Sequence, residues 1–378
     1  MPDGPRRLPL VALGALGALI ALMLAGIYIY REIGALTVSA STPVILFTDP
    51  GNSNQIDGLT WDGQRAGKVT EIPSPFQSVC QTTGTTDVCS SPPVGGGAPP
   101  LNSAESSNPD GSLFVAFPYF YDRSGRVVAT LKGGPYSDPG VGEYFVGTWA
   151  DDNHQYCQVQ PRFGGATAVT GTLQLTTPGG TPRDVVRIGS QAASEYSLTV
   201  GACSVLADRA VMVQHTPTLG SGGNTIDQYW VVELSSGHVL WTHDLRGAGV
   251  ARVISSRDGR YVAEVPTRGA STIYGPSGSV VGHVSGLVEA FSWDGSLTLV
   301  VSNGAATVVR WSDGTVVWTV PAREGVSGFQ PEPGGSSFAI RTVNGALYIV
   351  SAAGRVIAQR DVPGLLGCIP AQAGACFQ

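Results

Sequence analysis

The chain of 378 residues is 42% hydrophobic and only 13% charged, and it contains 51 Gly and 26 Pro. So much apolar content excludes a wholly disordered protein, and so many Gly and Pro exclude a mainly helical one. The net charge of −6 leaves no basic excess to neutralise phosphates, so we expect no nucleic-acid partner.

The N-terminal residues predict a membrane anchor. Residues 8–30 form an uncharged apolar run, long enough for a helix to cross about 30 Å of hydrocarbon. Arg6 and Arg7 precede it, which favours a cytoplasmic N-terminus. We therefore expect a short cytoplasmic segment at 1–7, a transmembrane signal anchor at 8–30, a stalk at 31–42 and an extracytoplasmic domain at 43–378. A signal peptide cleaved near Ala40 is the alternative, and it would make the domain secreted.

Six cysteines follow the apolar run: Cys80, Cys89, Cys157, Cys203, Cys368 and Cys376. Outside the cytoplasm, an even number of cysteines predicts structural disulfides. Short loops cost the least entropy to close, which favours Cys80–Cys89 and Cys368–Cys376 and leaves Cys157–Cys203, although other pairings stay open. The chain has no C-x-x-C spacing and its five His are scattered, so we assign no metal ligands.

From Val44 onwards, short β-branched runs alternate with turn signals, which is typical of an all-β protein. The pattern repeats over residues 250–284, 288–320 and 326–362, and each unit contains four predicted strands. The first turns carry Gly259, Gly295 and Gly334, spaced by 36 and 39 residues. Glycine suits such turns because tight hairpins need a positive φ. Four strands in a repeat of about 40 residues predict the blade of a β-propeller.

The hairpin that joins the third and fourth strands of a unit is called here its final hairpin. The number of final hairpins predicts seven blades, with six or eight as alternatives. These hairpins are placed near Gly67, Gly125, Gly180, Gly237, Gly278, Gly314 and Gly354. The last residues, 364–378, align with the first strand and turn of a further repeat, whereas the first unit, PVILFTD, lacks a first strand. We therefore expect a C-terminal strand, pinned by Cys368–Cys376, to complete the first blade and remove two free sheet edges.

Several segments resemble the repeats of known propeller families. RDGRYVAEV and NPDGSLFVAF are similar to the bacterial repeats related to the WD-repeat and YVTN families. VVELSSGHVLWTHDL and VVRWSDGTVVWTV resemble the PQQ-like repeat, in which a Trp follows the turn glycine, and Trp241 and Trp318 fill that position. The resemblance implies blade architecture and no particular activity. The adjacent cysteine pair of quinoprotein dehydrogenases has no match here.

Polar candidates for a functional site are better explained as turn residues. The densest cluster lies at 149–154 and contains Asp151, Asp152 and His154, whose side chains suit metal ligation. It aligns with the hairpin turns of other blades, so we expect a turn there, as at Asp258, Asp294 and Asp313. Trp241 and Trp318 are expected between blades, and the pair His243-Asp244 lacks a G-x-S-x-G elbow. We assign no catalytic and no cofactor-binding residue.

Two low-complexity segments, 90–111 and 216–224, are predicted to be exposed loop insertions. Because propellers bind ligands through such loops, we expect a non-catalytic binding or scaffold module at the cell envelope. Its expected partner is an envelope or membrane protein, and no cofactor is implied. The alternatives are a propeller enzyme (a hydrolase, a lyase or a quinoprotein-like enzyme) and a small-molecule or saccharide sensor, both using the central funnel. The oligomeric state is left open.

Overall fold

The computed structural model describes most of the predicted propeller. The described residues are 44–49, 52–71, 80–83, 86–89, 107–116, 119–122, 126–130, 147–163, 169–188, 197–217, 224–302, 305–321 and 325–362. None of them forms a helix, so this part of the chain contains no helical segment able to cross a membrane. The predicted anchor at 8–30 and the predicted closing strand at 364–378 lie outside the described residues.

The described strands form eight antiparallel sheets, of which seven are blades and one is a two-stranded hairpin, and this confirms the prediction of a seven-bladed β-propeller. Blade 1 contains β1 (Val44–Asp49), β2 (Asn52–Thr60) and β3 (Arg65–Glu71). A separate hairpin contains β4 (Cys80–Thr83) and β5 (Thr86–Cys89). Blade 2 contains β6 (Leu113–Ala116), β7 (Tyr119–Asp122) and β8 (Val127–Thr130). Blade 3 contains β9 (Thr148–Trp149), β10 (Tyr156–Phe163), β11 (Val169–Thr176) and β12 (Arg183–Ile188).

The remaining four blades have four strands each, paired in sequence order. Blade 4 contains β13 (Ser197–Ser204), β14 (Arg209–Pro217), β15 (Asn224–Glu233) and β16 (Val239–Asp244). Blade 5 contains β17 (Val250–Ser255), β18 (Val262–Pro266), β19 (Ala270–Tyr274) and β20 (Val280–Ser285). Blade 6 contains β21 (Leu287–Phe291), β22 (Leu297–Ser302), β23 (Ala305–Arg310) and β24 (Thr315–Thr319). Blade 7 contains β25 (Val326–Pro331), β26 (Phe338–Thr342), β27 (Ala346–Val350) and β28 (Val356–Asp361).

The strand order gives the ring two different faces. The first strands of blades 4 to 7 contact one another, so they are the inner strands, and the fourth strands are the outer ones. Because consecutive strands run in opposite directions, the first and third turns of each blade lie on one face, called here the turn face. The connections between the second and third strands, and between blades, lie on the opposite face, called here the loop face.

Among the described residues, seven apolar clusters, one between each pair of neighbouring blades, close the ring. Each cluster takes buried side chains from two adjacent sheets, as between blades 5 and 6, where Ile273 packs with Phe291. The cluster between blades 7 and 1 combines Ile45 and Leu59 with Leu347 and Ile349. Burial of such side chains supplies the main favourable free energy of folding. The core of this protein is therefore distributed around the ring between the blades.

The predicted final hairpins are correctly placed in the later blades. Gly237, Gly278, Gly314 and Gly354 all have positive φ in turns between third and fourth strands, and the turn at Gly179-Gly180 joins β11 to β12. Gly125 lies outside the described residues.

The predicted hairpin at Gly67 is wrong, because Gly67 lies inside β3. Its positive φ of 74° accompanies a register shift between β2 and β3, so it forms a bulge within the strand. The turn is four residues earlier, at Gly63, which has a φ of 83°. Gly63 lies against Ala358 of the outer strand of blade 7, as Gly354 lies against Val317 of the outer strand of blade 6. The β2–β3 hairpin is therefore the final hairpin of blade 1, and the expected C-terminal first strand remains a prediction.

The Gln330 side chain joins the first and last blades. Its amide nitrogen donates to the Leu46 carbonyl oxygen at 2.8 Å, and its amide oxygen accepts from the Leu46 backbone N–H at 3.2 Å. Gln330 is fully buried on β25 of blade 7, and Leu46 lies on β1 of blade 1. One carboxamide therefore satisfies both backbone groups at this position of the β1 edge.

Replacing Gln330 with leucine is expected to weaken this junction. Leucine has a similar size but leaves a buried backbone donor and acceptor without their partner, at a cost of about 2 to 3 kcal/mol in the free energy of unfolding. Urea titration measures this cost. The exposed-turn variant Gln64→Leu is the control and should change the free energy of unfolding by less than about 0.5 kcal/mol. Equal effects of the two substitutions would contradict a role of Gln330 at the junction.

A disulfide between Cys157 and Cys203 joins blades 3 and 4, with 6.2 Å between the Cα atoms. Cys157 lies on β10 and Cys203 on β13, and both are completely buried in the cluster between these blades. In the β4–β5 hairpin, Cys80 is opposite Cys89 in the strand register. Cys368 and Cys376 lie outside the described residues. The structure thus contains the Cys157–Cys203 bridge, and the two short-loop pairs remain predictions.

Candidate functional site

The Asp residues expected in turns do cap turns. The Asp258 carboxylate accepts hydrogen bonds from the Ser256 hydroxyl at 2.7 Å and from the Arg260 backbone N–H at 3.0 Å. Asp294 accepts from the hydroxyl of Ser292 at 2.6 Å and from the backbone N–H of Ser296 at 3.1 Å. Asp313 accepts from the Thr315 backbone N–H at 2.9 Å, and this bond lowers the pKa of Asp313. These carboxylates stabilise local backbone and are not gathered into a site.

The polar cluster at 149–154 forms the first turn of blade 3, between β9 and β10, as expected. Asp152 accepts from the backbone N–H groups of His154 and Gln155, both at 3.0 Å. Asp151 reaches the next blade, where it accepts from the Val205 backbone N–H at 2.9 Å and from the Ser204 hydroxyl. The two carboxylates therefore make separate structural contacts on the turn face.

Arg257 also makes a contact between distant blades on the turn face. Its side chain reaches from the first turn of blade 5 to the Trp149 carbonyl oxygen of blade 3, and its guanidinium lies 5.1 Å from the centre of the Trp293 ring of blade 6. Burial lowers the pKa of Arg257 to about 10, and the charges of Asp151 and Asp152 oppose this shift. Even at that pKa, Arg257 is cationic at neutral pH.

Trp241 and Trp318 lie between blades, as expected from the repeat. Trp241, on the outer strand of blade 4, packs 6.5 Å from the Tyr274 ring of blade 5, measured between ring centres. Trp318, on the outer strand of blade 6, packs 5.5 Å from the Tyr348 ring of blade 7. The two tryptophans hold equivalent positions, since Trp241 is opposite Val231 and Trp318 is opposite Val308 in the strand register.

The side chains of the neighbouring residues His243 and Asp244 contact different partners. Asp244 is half-exposed and pairs with Arg246, whose hydrogen bonds lower the pKa of Asp244 to about 2. His243 faces blade 5, where its Nδ1 lies 2.9 Å from Oε1 of Glu264. The two side chains of this dipeptide therefore act in different surroundings, and they do not form a catalytic pair.

His243 belongs to a polar group called here the blade 4–5 cluster, which consists of Tyr229, His243, Glu264 and Tyr274. The Tyr229 hydroxyl donates to Oε1 of Glu264 at 2.9 Å and lies 3.1 Å from Nδ1 of His243. The Tyr274 hydroxyl donates to Oε2 of Glu264 at 3.1 Å. The four side chains come from β15, β16, β18 and β19, so the cluster exists only when blades 4 and 5 are packed together.

Burial and the Glu264 charge keep both phenols of this cluster protonated. Burial is the larger cause, and the negative charge of Glu264 adds to it, because a second negative charge beside a carboxylate is unfavourable. Together they raise the pKa of Tyr274 to about 12 and that of Tyr229 well above its ordinary value. Both hydroxyls are therefore hydrogen-bond donors at neutral pH.

These raised pKa values predict a loss of stability in alkali. Tyrosines of the unfolded chain ionise near pH 10.0, while Tyr274 in the folded state resists ionisation up to about pH 12. The stabilisation is therefore complete below the unfolded pKa of 10.0 and is lost as the pH rises towards the folded pKa of about 12. Thermal melting measured across this range should fall more steeply for the natural chain than for Tyr274→Phe. Parallel curves for the two proteins would contradict this prediction.

A bidentate ion pair links the inner strands of blades 5 and 6. The Arg252 guanidinium donates to both carboxylate oxygens of Glu289, at 2.5 and 2.6 Å. The side chains are only 15% and 16% exposed. Both residues satisfy each other's charge, so we interpret this pair as a structural link beside the axis of the ring.

Sequence reasoning missed Tyr229, Glu264 and Tyr274. A signal for Glu264 was present in the repeats, because its position in the second strand is occupied by Val300 in blade 6 and by Ile340 in blade 7. A carboxylate at a position that is apolar in sister repeats indicates a local role. The residues that surround it could be identified only from the packing of two blades.

Comparisons with known proteins give a structural likeness and no family. No family model matches the chain, and no curated protein matches it. Among solved structures, the chain is similar to the β-propeller domain of Myceliophteria thermophila Cps50 (Swd1), with 10% identity and a TM-score of 0.43. That match covers 80% of this chain and 94% of the other. Within the described residues, no group of three or more His, Cys, Asp or Glu side chains could hold a metal ion.

Proposed function

We propose that this chain is a non-catalytic binding or scaffold module, held outside the cytoplasm by a membrane anchor at residues 8–30, with an envelope or membrane protein as its partner. Two observations support this location. The apolar run has the length of a membrane-spanning helix. The buried Cys157–Cys203 disulfide is a bond that persists in oxidising compartments.

The observation that carries the binding role is the ring of blades, whose turn face and loop face present different connections. On the turn face, polar side chains join neighbouring blades: Asn108 donates to the Asn153 carbonyl oxygen at 3.0 Å, and Asp151 binds the Ser204 turn. The loop face carries the connection between β14 and β15, which takes residues 218–223 of the predicted insertion, whereas residues 216, 217 and 224 belong to these strands. It also exposes Val343, 65% accessible, in the connection between β26 and β27. Binding residues lie disproportionately on loops that a rigid scaffold holds in position.

Site-specific photo-crosslinking in cells of the source organism tests this proposal. A photoreactive residue at Val343 samples the loop face, and the same residue at Leu206, 78% exposed in the first turn of blade 4, samples the turn face as the control. We expect one discrete crosslinked envelope protein from Val343 and none from Leu206, in the membrane fraction. Absence of a crosslinked product at both positions, with the full chain in the soluble cytoplasmic fraction, would overturn the proposal.

A further inference from the structure

A cleft lies on the loop face of blade 7. It has a volume of about 280 Å³ and opens to solvent, and its lining includes Arg341, Val343, Asn344, Gly345, Asp361 and Val362. Arg341 lies near the end of β26, and Asp361 is the last residue of β28. Residues 343–345 connect β26 to β27. The cleft therefore belongs to the face to which we assign the binding role.

Arg341 places a charge at a position that is apolar in the sister repeats. The equivalent residues of the second strand are Val265 in blade 5 and Val301 in blade 6. Arg341 is only 8% exposed. Its Nε donates to the Val362 carbonyl oxygen at 3.1 Å, and its Nη1 donates to the Ser327 hydroxyl at 2.7 Å and to the carbonyl oxygen of the next residue at 3.4 Å. These neutral acceptors hold the guanidinium in one orientation.

The positive charge of Arg341 has no acidic partner in the part of the chain that the structure describes. No carboxylate oxygen of those residues lies within 4.0 Å of its guanidinium. Two other sheltered arginines do have acidic neighbours, because Arg252 pairs with Glu289 and two aspartates attract Arg257. Burial lowers the pKa of Arg341, and no carboxylate opposes this shift. Because an unpaired buried charge is unfavourable, the site is suited to an anion supplied by a ligand.

One nitrogen of the Arg341 guanidinium is available for such an anion. Nη2 makes no hydrogen bond to any described residue. It lies 3.7 Å from the position that a Cβ would take on Gly345, a lining residue of the cleft. The exposed Asn344, whose side-chain amide is a further donor, lines the same cleft. An anion in the cleft can therefore accept hydrogen bonds from both side chains.

We propose that this cleft binds the carboxylate of an aspartate or glutamate side chain of the partner protein, a proposal that rests on the binding role above. Charge-assisted hydrogen bonds between guanidinium and carboxylate are stronger than neutral ones. Small-molecule sites usually exceed about 300 Å³ and enclose the ligand, whereas this cleft is smaller and open, so it suits one side chain. The negative charge of Asp361 in the lining disfavours a phosphate, which carries about two negative charges. Val343, 65% exposed, is available to apolar neighbours of that carboxylate in the partner.

Titration of the purified full chain, followed by NMR of the ligand, tests the site with two capped pentapeptides. They are acetyl-Ala-Leu-Glu-Leu-Ala-amide and the same sequence with Gln in place of Glu. We expect the Glu peptide to bind about tenfold more tightly, because only this peptide offers a carboxylate. Arg341→Gln should remove the preference. Arg355→Gln, which alters an exposed arginine on the turn face of the same blade, should retain it.

Three outcomes of the titration would overturn the proposal. They are equal binding of the two peptides, a preference that survives in Arg341→Gln, and tighter binding of a peptide with phosphoserine in place of Glu. Circular dichroism establishes that each variant is folded. If Arg341→Gln does not fold, Asp361→Asn decides, because loss of its negative charge should strengthen binding of the Glu peptide alone. Equal effects of Asp361→Asn on both peptides would contradict a carboxylate in the cleft.

The photo-crosslinking experiment at Val343 separates this proposal from the binding role on which it rests. A crosslinked partner whose yield falls in the Arg341→Gln background supports both. Equal yields in the two backgrounds would leave the binding role intact and reject the carboxylate site. A peptide preference without any crosslinked protein in cells would support the carboxylate site and reject the binding role.

Discussion

Removal of the Cys157–Cys203 disulfide is expected to lower the free energy of unfolding by about 4 kcal/mol, because this bridge closes a loop of 46 residues in the unfolded chain. The bridge also joins blades 3 and 4 across a completely buried interface. Replacing both cysteines with alanine avoids leaving a free buried thiol. Urea titration of the natural and doubly substituted chains measures the difference.

The natural chain with and without a reducing agent is the internal control for this experiment. Reduction should weaken the natural protein towards the level of the Cys157→Ala/Cys203→Ala variant and leave the variant itself much less affected. The change should also appear in whole-cell experiments as poor accumulation of the domain in a reducing compartment. A natural protein equally stable in both conditions would show that the bridge adds nothing to the packing between blades 3 and 4.

Replacing Gly354 with alanine is expected to lower the free energy of unfolding by about 3 kcal/mol, from the strain of a non-glycine residue at positive φ together with overpacking. Gly354 has a φ of 77°, and a Cβ there would collide with the Val317 carbonyl oxygen of the neighbouring blade. This oxygen belongs to the backbone of β24, so it cannot move aside without disturbing that strand. Urea titration of the natural chain and the Gly354→Ala variant measures this loss.

Gly314 offers a matched control in the same repeat position. It has a φ of 73° in the equivalent turn of blade 6, but no atom lies within 4 Å of a Cβ placed there. Gly314→Ala should therefore cost only the conformational strain, about 1 kcal/mol. The difference between the two variants isolates the contact between blades, and equal losses would show that the turn at Gly354 is not held against blade 6.

The two experiments examine the rigidity of the blade junctions, on which the binding proposal depends. A ring can present loops in fixed positions only if its blade junctions are rigid. The disulfide tests the junction of blades 3 and 4, and Gly354 tests that of blades 6 and 7. Because neither position lies on the loop face, a partner that still crosslinks to Val343 in the Gly314→Ala control but not in Gly354→Ala would indicate dependence on the intact ring.

The repeating part of the fold could be predicted from the sequence by itself. Alternation of apolar residues, together with Gly in tight turns, depends on interactions within a few residues, so Gly278, Gly314 and Gly354 indicated hairpins correctly. The same local signal failed at Gly67, because positive φ serves a bulge as well as a turn, and only strand pairing distinguishes the two.

Only the tertiary structure determined that four distant residues form the blade 4–5 cluster: Tyr229, His243, Glu264 and Tyr274. These residues are spread over 46 positions of the chain, and none has a meaningful local spacing to the next. They meet because the outer strand of blade 4 packs against the second and third strands of blade 5. Local pattern determines which residues form strands, whereas contact between side chains of different sheets depends on how the blades face each other, which no periodicity encodes.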